Sequence, residues 1–305
     1  MLHVTNGDCA ADQIRAAGVG GEVLPWRDVL HDGPVPAGLA PAELRRVRAR
    51  WLAAFADADP DAVAAEIEER DGALAAARGR VVLWFEHDLY DQLQLIQVLD
   101  ALEFHEPLAL INPGEYLGYM DSERLAALFA ERRPVTPAQR ALARRAWAAF
   151  RAPDPREVQR VAEGDTAALP FLGAALRRHL EQFPHVRDGL SRSERQLLEA
   201  VEGGAATVRA AFAEHQRRED PIWLGDWSCW GYVRVLADGP RPLLRIHPAE
   251  SWLDAALEVT PTGRDVLAGR ADRVRENGID RWLGGVHLEE HGAVWRWNGE
   301  ECVSA

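Results

Sequence analysis

Arg80-Val81-Val82-Leu83-Trp84-Phe85-Glu86-His87-Asp88-Leu89-Tyr90-Asp91-Gln92-Leu93-Gln94-Leu95-Ile96-Gln97-Val98-Leu99-Asp100-Ala101-Leu102 is the stretch whose reading decides the fold. Val81 to Phe85 is short, β-branched and aromatic, with no polar alternation, which predicts a strand buried on both faces. Leu89, Leu93, Ile96, Leu99 and Leu102 then recur at helical spacing, so the chain turns at Glu86-His87-Asp88 and returns as a helix. A strand, a turn and a helix in this order make one unit of an open α/β sheet. Ligands of such sheets gather beyond the carboxyl ends of the strands, where Glu86, His87 and Asp88 are expected.

The rest of the first half repeats the pattern. Leu2 to Thr5 reads as a strand that stops at Asn6-Gly7-Asp8, and Ala10, Ile14 and Ala17 follow as a short helix ending at Gly18. Gly7 lets the backbone turn or approach a ligand, and Asp8 is placed to cap the helix. Glu22 to Leu30 reads as a second strand through Pro25, running into His31-Asp32-Gly33-Pro34. Ala40 to Phe55, Ala62 to Ile67 and Gly72 to Ala77 are alanine-rich helices forming the crossover to the central strand, and Leu108 to Ile111 is a further strand ending at Asn112-Pro113-Gly114-Glu115. No G-x-G-x-x-G follows the first strand, so a dinucleotide fingerprint is absent.

A chain of 305 residues, 47% of them hydrophobic, can bury a core and fill two domains. No apolar run approaches membrane-spanning length and Met1-Leu2-His3-Val4 enters a strand directly, so a cytoplasmic protein without membrane association is expected. Cys9, Cys229 and Cys302 form neither a disulfide framework nor a Cys-x-x-Cys site. All 35 basic residues are arginine. Without lysine there is no phosphate-loop lysine, no pyridoxal Schiff base and no lysine general base. The net charge of -13 repels nucleic acid unless basic residues segregate onto one face.

Three blocks carry a resemblance: His3-Val4-Thr5-Asn6-Gly7-Asp8, then Trp26-Arg27-Asp28-Val29-Leu30-His31-Asp32-Gly33-Pro34, then Leu83-Trp84-Phe85-Glu86-His87-Asp88-Leu89-Tyr90-Asp91-Gln92-Leu93. In this order they resemble the bacterial family called domain of unknown function 1835, over roughly the first 120 residues. The resemblance implies an α/β fold and a shared polar cluster, and brings no established reaction.

Beyond residue 130, Ala138 to Phe150, Glu157 to Glu163 and Leu169 to Phe183 read as bridging helices. Ser191 and Glu194 form a capping box that starts a helix through Leu197, Leu198 and Val201. Thr207 to Arg218 gives a second helix, while Pro240 to Ile246 and Leu257 to Thr260 flank an irregular insert before a helix from Pro261. That order looks winged-helix-like, with Val208 to Asp220 as the candidate recognition helix. It carries Arg209, Arg217 and Arg218 but also Glu214, Glu219 and Asp220. Trp223, Trp227, Trp230, Trp252, Trp282, Trp295 and Trp297 crowd this half and favour packing or interfaces. Arg281 to Leu288 and Ala293 to Trp297 read as a terminal hairpin.

The expected architecture is therefore a Rossmann-like, open, mostly parallel α/β domain over 1–130, a helical bridge over 131–188, and a winged-helix-like α+β domain over 189–305. Asp8, His87 and Asp88 are the candidate catalytic residues. Asn6, Gly7, Trp26, Asp28, His31, Gly33, Glu86, Tyr90, Asp91 and Gln92 are the candidate ligand-binding residues. Converging carboxylates either hold a hard cation such as Mg2+ or work as general acid and base, and no zinc spacing is present. Each of these residues also has a plain structural reading, as a helix cap, a dipole partner or a core polar group. Three functions stay open: an enzyme performing hydrolysis or group transfer on a small polar or phosphorylated metabolite such as a nucleotide, a ligand-sensing DNA-binding regulator, or an interaction scaffold, with a homodimer among its forms.

Overall fold

The structure is a computed structural model that describes residues 1–289 and 294–304. Its contacts divide the chain into two compact units, Met1–Leu176 with Gly284–Val286, and Arg177–Leu283 with His287–Ala305. The stretch 131–188, expected as a bridge, is thus shared between them. The reason is packing: α6 (Pro137–Phe150) turns Leu142, Ala143, Ala146 and Trp147 inward and lies along α4 (Leu89–Ala101), so it belongs to the first unit.

The first unit is built on five strands, β1 (Leu2–Thr5), β2 (Glu22–Pro25), β4 (Val81–Trp84), β5 (Leu108–Ile111) and β6 (Arg133–Pro134). Their spatial order is β2-β1-β4-β5-β6, with β1, β2, β4 and β5 parallel and β6 antiparallel at one edge. The expected mixed α/β class with a mostly parallel sheet is observed. Val81, Val82, Leu83 and Trp84 are wholly buried, as a central strand covered on both faces requires. On one face Val82 and Trp84 join Ile14 of α1 (Asp8–Ala16) and Leu125 of α5 (Ser122–Glu131). His3 ties this layer together: its Nδ1 accepts from Trp84 Nε1 at 2.9 Å, so its Nε2 must donate to the Gly20 carbonyl at 2.9 Å. Burial depresses the pKa of this neutral imidazole.

Two local expectations are corrected. The second strand ends at Pro25 rather than Leu30, because Arg27 turns the backbone into the left-handed region at φ 47. The two helices expected at Ala62 to Ile67 and Gly72 to Ala77 are one, α3 (Pro60–Ala76), running through Gly72 and pairing with α2 (Pro41–Ala56). Between β2 and α2, β3 (Gly33–Pro34) is pinned by Val35 N donating to the Gly284 carbonyl at 2.8 Å. Gly285 is obligatory there, since a Cβ would lie 1.8 Å from the Arg151 carbonyl oxygen. α7 (Arg156–Glu163) follows, and α8 (Leu172–Leu180) runs across the division between the units after Leu176.

In the second unit the capping box is observed: Ser191 Oγ accepts from Glu194 N, and Glu194 accepts from Ser191 N at 2.7 Å. It opens α9 (Arg192–Glu202), followed by α10 (Val208–Arg217) and α11 (Asp226–Ala237). β7 (Leu244–His247) and β8 (Ala256–Val259) pair antiparallel, with Thr207 bridging to Ala256, and α12 (Pro261–Leu267) and α13 (Arg273–Asn277) follow. The terminal hairpin is drawn differently from the expectation. β9 (Asp280–Gly284) and β10 (Val286–Glu289) are sheet neighbours, while β11 (Trp295–Trp297) pairs with β12 (Cys302–Ser304). Trp297 stands opposite Cys302 because Asn298 and the following turn bring the chain back at once, while its own N–H donates to the Pro184 carbonyl and its carbonyl accepts from Val186 N, both at 2.9 Å; Ala293 lies outside the described residues. Among the described residues no helix is long and apolar enough to cross a membrane.

Candidate functional site

The turn from β4 into α4 gathers the carboxylates. Oxygens of Glu86, Asp88 and Asp91 lie within 4.8 Å of one another, and all three residues are buried. Local geometry explains the gathering. Asp88 is the N-cap of α4 and accepts from Asp91 N at 3.1 Å, which brings Asp91 back over the turn. There Asp91 Oδ1 accepts from Glu86 N at 2.6 Å, while its Oδ2 accepts from Asn6 Nδ2 at 2.7 Å. Glu86 Oε1 accepts from Leu117 N at 2.6 Å. Strand ends β1 and β4 and the segment after β5 therefore meet at one point, as the switch in chain direction after each parallel strand demands.

The electrostatics are unusual for this chain. Among the described residues every other buried carboxylate faces a cation or an imidazole: Asp28 meets Arg48 at 2.7 Å, Asp32 meets His31 at 3.4 Å, Asp188 meets Arg187 at 3.2 Å and Arg195, Glu194 meets Arg281 at 3.6 Å, and Glu219 meets Arg178 at 2.8 Å. Among the described residues no arginine or histidine forms an ion pair with Glu86, Asp88 or Asp91. Burial, and then the neighbouring Asp88 charge, push Glu86 up to about 7. Burial raises Asp88 to about 7 as well. Asp91 is held well above the usual carboxylate range by burial and by the charges of Asp88 and Glu86. Only neutral donors offset this: the backbone N–H groups, the Asn6 amide and the N-terminus of α4.

Neutral oxygens surround the cluster. Gln92 Nε2 donates to the Glu86 carbonyl at 2.6 Å, and Asn112 Nδ2 donates to the Phe85 and Glu86 carbonyls at 2.7 and 3.1 Å. Among the described residues, no group hydrogen-bonds to their buried amide oxygens or to the buried hydroxyl of Thr5 at the end of β1. Three carboxylates gathered without a soft ligand are the kind of donor set that a hard divalent cation takes.

Several residues expected here are elsewhere. Asp8 does not cap α1, whose N-cap is Gly7 in extended conformation; its carboxylate is forked at the surface by Arg27 at 2.6 to 3.1 Å. Gly7 has open space where a Cβ would stand, so close approach does not explain it. Asp28 is neutralised by Arg48, with Arg70 3.9 Å away, and its backbone carbonyl accepts from Gln94. The indole of Trp26 donates to Gln97 at 2.6 Å and lies under Arg70. His31 sits between Asp32 and the edge of Tyr90, at a ring separation of 5.8 Å. Burial holds the Tyr90 phenol protonated, as the upward direction of its pKa shows. Gly33 has φ +78 and would place a Cβ 2.3 Å from the Trp51 ring, so it is a packing glycine rather than a ligand contact. His87 turns toward Tyr116 and Phe171, with ring separations of 4.9 and 5.7 Å.

Glu86, Asp88, Asp91, Asn6 and Gln92 are thus brought together, while Asp8, Asp28 and His31 have partners of their own. Asn112 was missed, although it stands at the polar end of β5 just as Asn6 stands at the end of β1.

In the second unit the arginines of α10 are neutralised. Arg209 meets Asp254 at 3.0 Å, Arg217 meets Glu214, and Arg218 meets Glu214 and Glu199 at 3.1 Å. The helix directly before the β7–β8 hairpin is α11, not α10, and it presents Trp227 and Trp230 against Trp252 at ring separations of 5.4 and 5.6 Å. A scan against models of known protein families found no match, and a comparison with curated proteins found no chain similar to this one.

Proposed function

We propose that the first unit is a Rossmann-like enzyme domain of the domain of unknown function 1835 type, and that Glu86, Asp88 and Asp91 hold a divalent cation such as Mg2+ for hydrolysis or group transfer on a small phosphorylated metabolite. The observation that carries this reading is the contrast in charge: three buried carboxylates without a cationic partner, in a chain that pairs its other buried acids. Removing a partner from one buried charge costs about 3–5 kcal/mol, so three like charges together need protons or a cation. The oxygen-only surroundings fit a hard ion. An ion there also resolves a second difficulty, because a chain of net charge -13 offers phosphate little attraction without one.

When bound, the ion would supply Lewis acidity and the attraction for phosphate. Asn6 and the Glu86 N–H orient Asp91, the Leu117 N–H orients Glu86, and Asp88 fixes the start of α4. With values near 7, Glu86 and Asp88 hold protons near neutral pH without the ion, and ligating it would keep them as carboxylates. His87, beside them in sequence, faces Tyr116 and Phe171 and serves the aromatic wall in this reading.

For the second unit we take a winged-helix-like domain whose face is for protein contact, since the arginines of α10 are already ion-paired; a salt-sensitive gel shift with duplex DNA would reverse that assignment.

Titration of the full chain with Mn2+, followed by water proton relaxation, tests the cation site. Saturable binding at one site, competed by Mg2+ and lost in Asp91→Asn and Glu86→Gln, is expected. Binding unchanged in both variants, or none in the wild type, defeats the proposal.

A further inference from the structure

A second feature of the first unit stands apart from the carboxylate cluster. Between α2, α3, α4 and α6 lies a cleft of about 420 Å3, lined among others by Trp26, Arg45, Leu74, Trp147 and Arg151. That volume suits a small organic molecule. Along α4 the cleft is lined by Gln97, Asp100 and Ala101, six to ten residues after Asp91, and none of Glu86, Asp88 and Asp91 is in its lining.

The walls state what it would hold. Two indoles, Trp26 and Trp147, share the lining with Leu39, Leu44, Ile67 and Leu74, so the body of the ligand must be apolar and is best flat. Four guanidinium groups also reach the lining, and they differ in how fully they are engaged. Arg48 is saturated, giving its N–H groups to Asp28, Val29, Asp32 and Pro34. Arg151 gives only Nε and Nη2, both to the Pro36 carbonyl, at 3.2 and 2.9 Å. Arg45 has Asp71 at 3.5 Å and Glu68 at 3.9 Å, separations too long for good hydrogen bonds. Arg70 donates to Asp71 and the Trp26 carbonyl while stacking 3.8 Å over the Trp26 ring. A guanidinium has five donors in a fork that fits a planar anion, so Arg45 and Arg151 retain unsatisfied donors beside an apolar cavity. Burial also lowers the pKa of Arg151, and the nearby Asp100 charge opposes that shift.

We infer that this cleft is a binding site for a small organic anion with a flat apolar body, its acidic head held by Arg45 and Arg151 and its body against the apolar side chains of the lining, Leu39, Leu44, Ile67 and Leu74. It is a separate site from the proposed cation centre and does not depend on it. The carboxylates Asp71 and Asp100 at the rim set the selectivity: a dianion would be repelled by them, so a singly charged carboxylate or sulfonate fits best.

Two naphthalene probes of matched shape test the assignment, anilinonaphthalene sulfonate and its uncharged counterpart phenylnaphthylamine, with energy transfer from tryptophan as the readout. The full chain is expected to bind the sulfonate saturably and about tenfold more tightly than the neutral probe, the difference one charge-assisted hydrogen-bonded pair supplies. Arg45→Ala and Arg151→Ala should each lose most of that preference while leaving the neutral probe unaffected. Leu74→Trp keeps every arginine and fills the cleft, so it should weaken both probes and stands as the control if an arginine variant folds poorly. Equal affinity for the two probes in the wild type, or undiminished binding in Leu74→Trp, overturns the inference.

Discussion

Replacing Glu86 by glutamine removes one of three crowded charges without changing shape, and its effect must depend on pH in a defined sense. The Glu86 carboxyl moves from an ordinary 4.5 to about 7 in the folded protein. Between those values the folded state holds a proton that the unfolded state has released. The stability contributed by this proton is fully present below about 4.5 and is lost as the pH rises through about 7. At about 1.4 kcal/mol per tenfold change in proton affinity, the loss is on the order of 3 kcal/mol, shared with Asp88 because the two titrate together. Glutamine keeps the oxygen that accepts from Leu117 and never ionises. Glu86→Gln should therefore match the wild type near pH 5 and exceed it by roughly 2–3 kcal/mol near pH 8.5, with divalent ions chelated. In a unit of this size that is a rise in melting temperature of about 4–10 °C. Calorimetric scans of both proteins at the two pH values give the comparison, and taking the difference between them cancels carboxylates such as Glu219 and Asp272, whose pKa values are lowered and which act in the opposite direction. A variant less stable than the wild type by the same amount at both pH values would show that Glu86 is an ordinary hydrogen-bonded glutamate and refute the crowding argument.

Four further outcomes follow from the same geometry. Mn2+ affinity should fall as the pH drops below about 7, where Glu86 and Asp88 take up protons, and relaxation titrations at pH 6 and 8 would measure this. Arg48→Met leaves buried Asp28 with only the more distant Arg70, 3.9 Å away, and should cost up to about 3–5 kcal/mol in chemical unfolding, more than loss of the surface pair through Arg27→Ala, at about 0–1 kcal/mol. His3→Leu strands the Trp84 indole N–H in the core and should destabilise by about 1–3 kcal/mol, with near-ultraviolet circular dichroism reporting any disturbance of the indole. Gly33→Ala combines a left-handed φ with a clash against Trp51 and should lower stability by more than about 1 kcal/mol, measurable as a shift in denaturant midpoint.

Much of the fold is legible in short windows. The apolar run at Val81 to Phe85 reads as a buried strand, the spacing of Leu89, Leu93 and Ile96 reads as the helix after it, and Ser191 with Glu194 announces α9; each signal spans a dozen residues or fewer. The carboxylate cluster is legible for the same reason, since Glu86, Asp88 and Asp91 belong to one strand end and one helical turn. Where the reading went astray, a partner far along the chain decided. Asp8 and Asp28 looked like equal members of a strand-end site, but Arg27 draws Asp8 to the surface and Arg48 buries Asp28. Val29 and Leu30 have the character of strand residues, but the left-handed turn at Arg27 ends β2 at Pro25 and sends them into loop packing.

By itself, then, the sequence determined the alternation of β1, α1, β4, α4 and β5, the mostly parallel sheet and the place where acidic groups gather, because hydrophobic periodicity and capping act over one or two turns of chain. Only the tertiary structure decided which acids are neutralised and which are left to a cation or a proton. Charge compensation needs side chains within about 4 Å, and the arginines that provide it at Asp28 come from α2 and α3, separate helices whose packing no local pattern encodes.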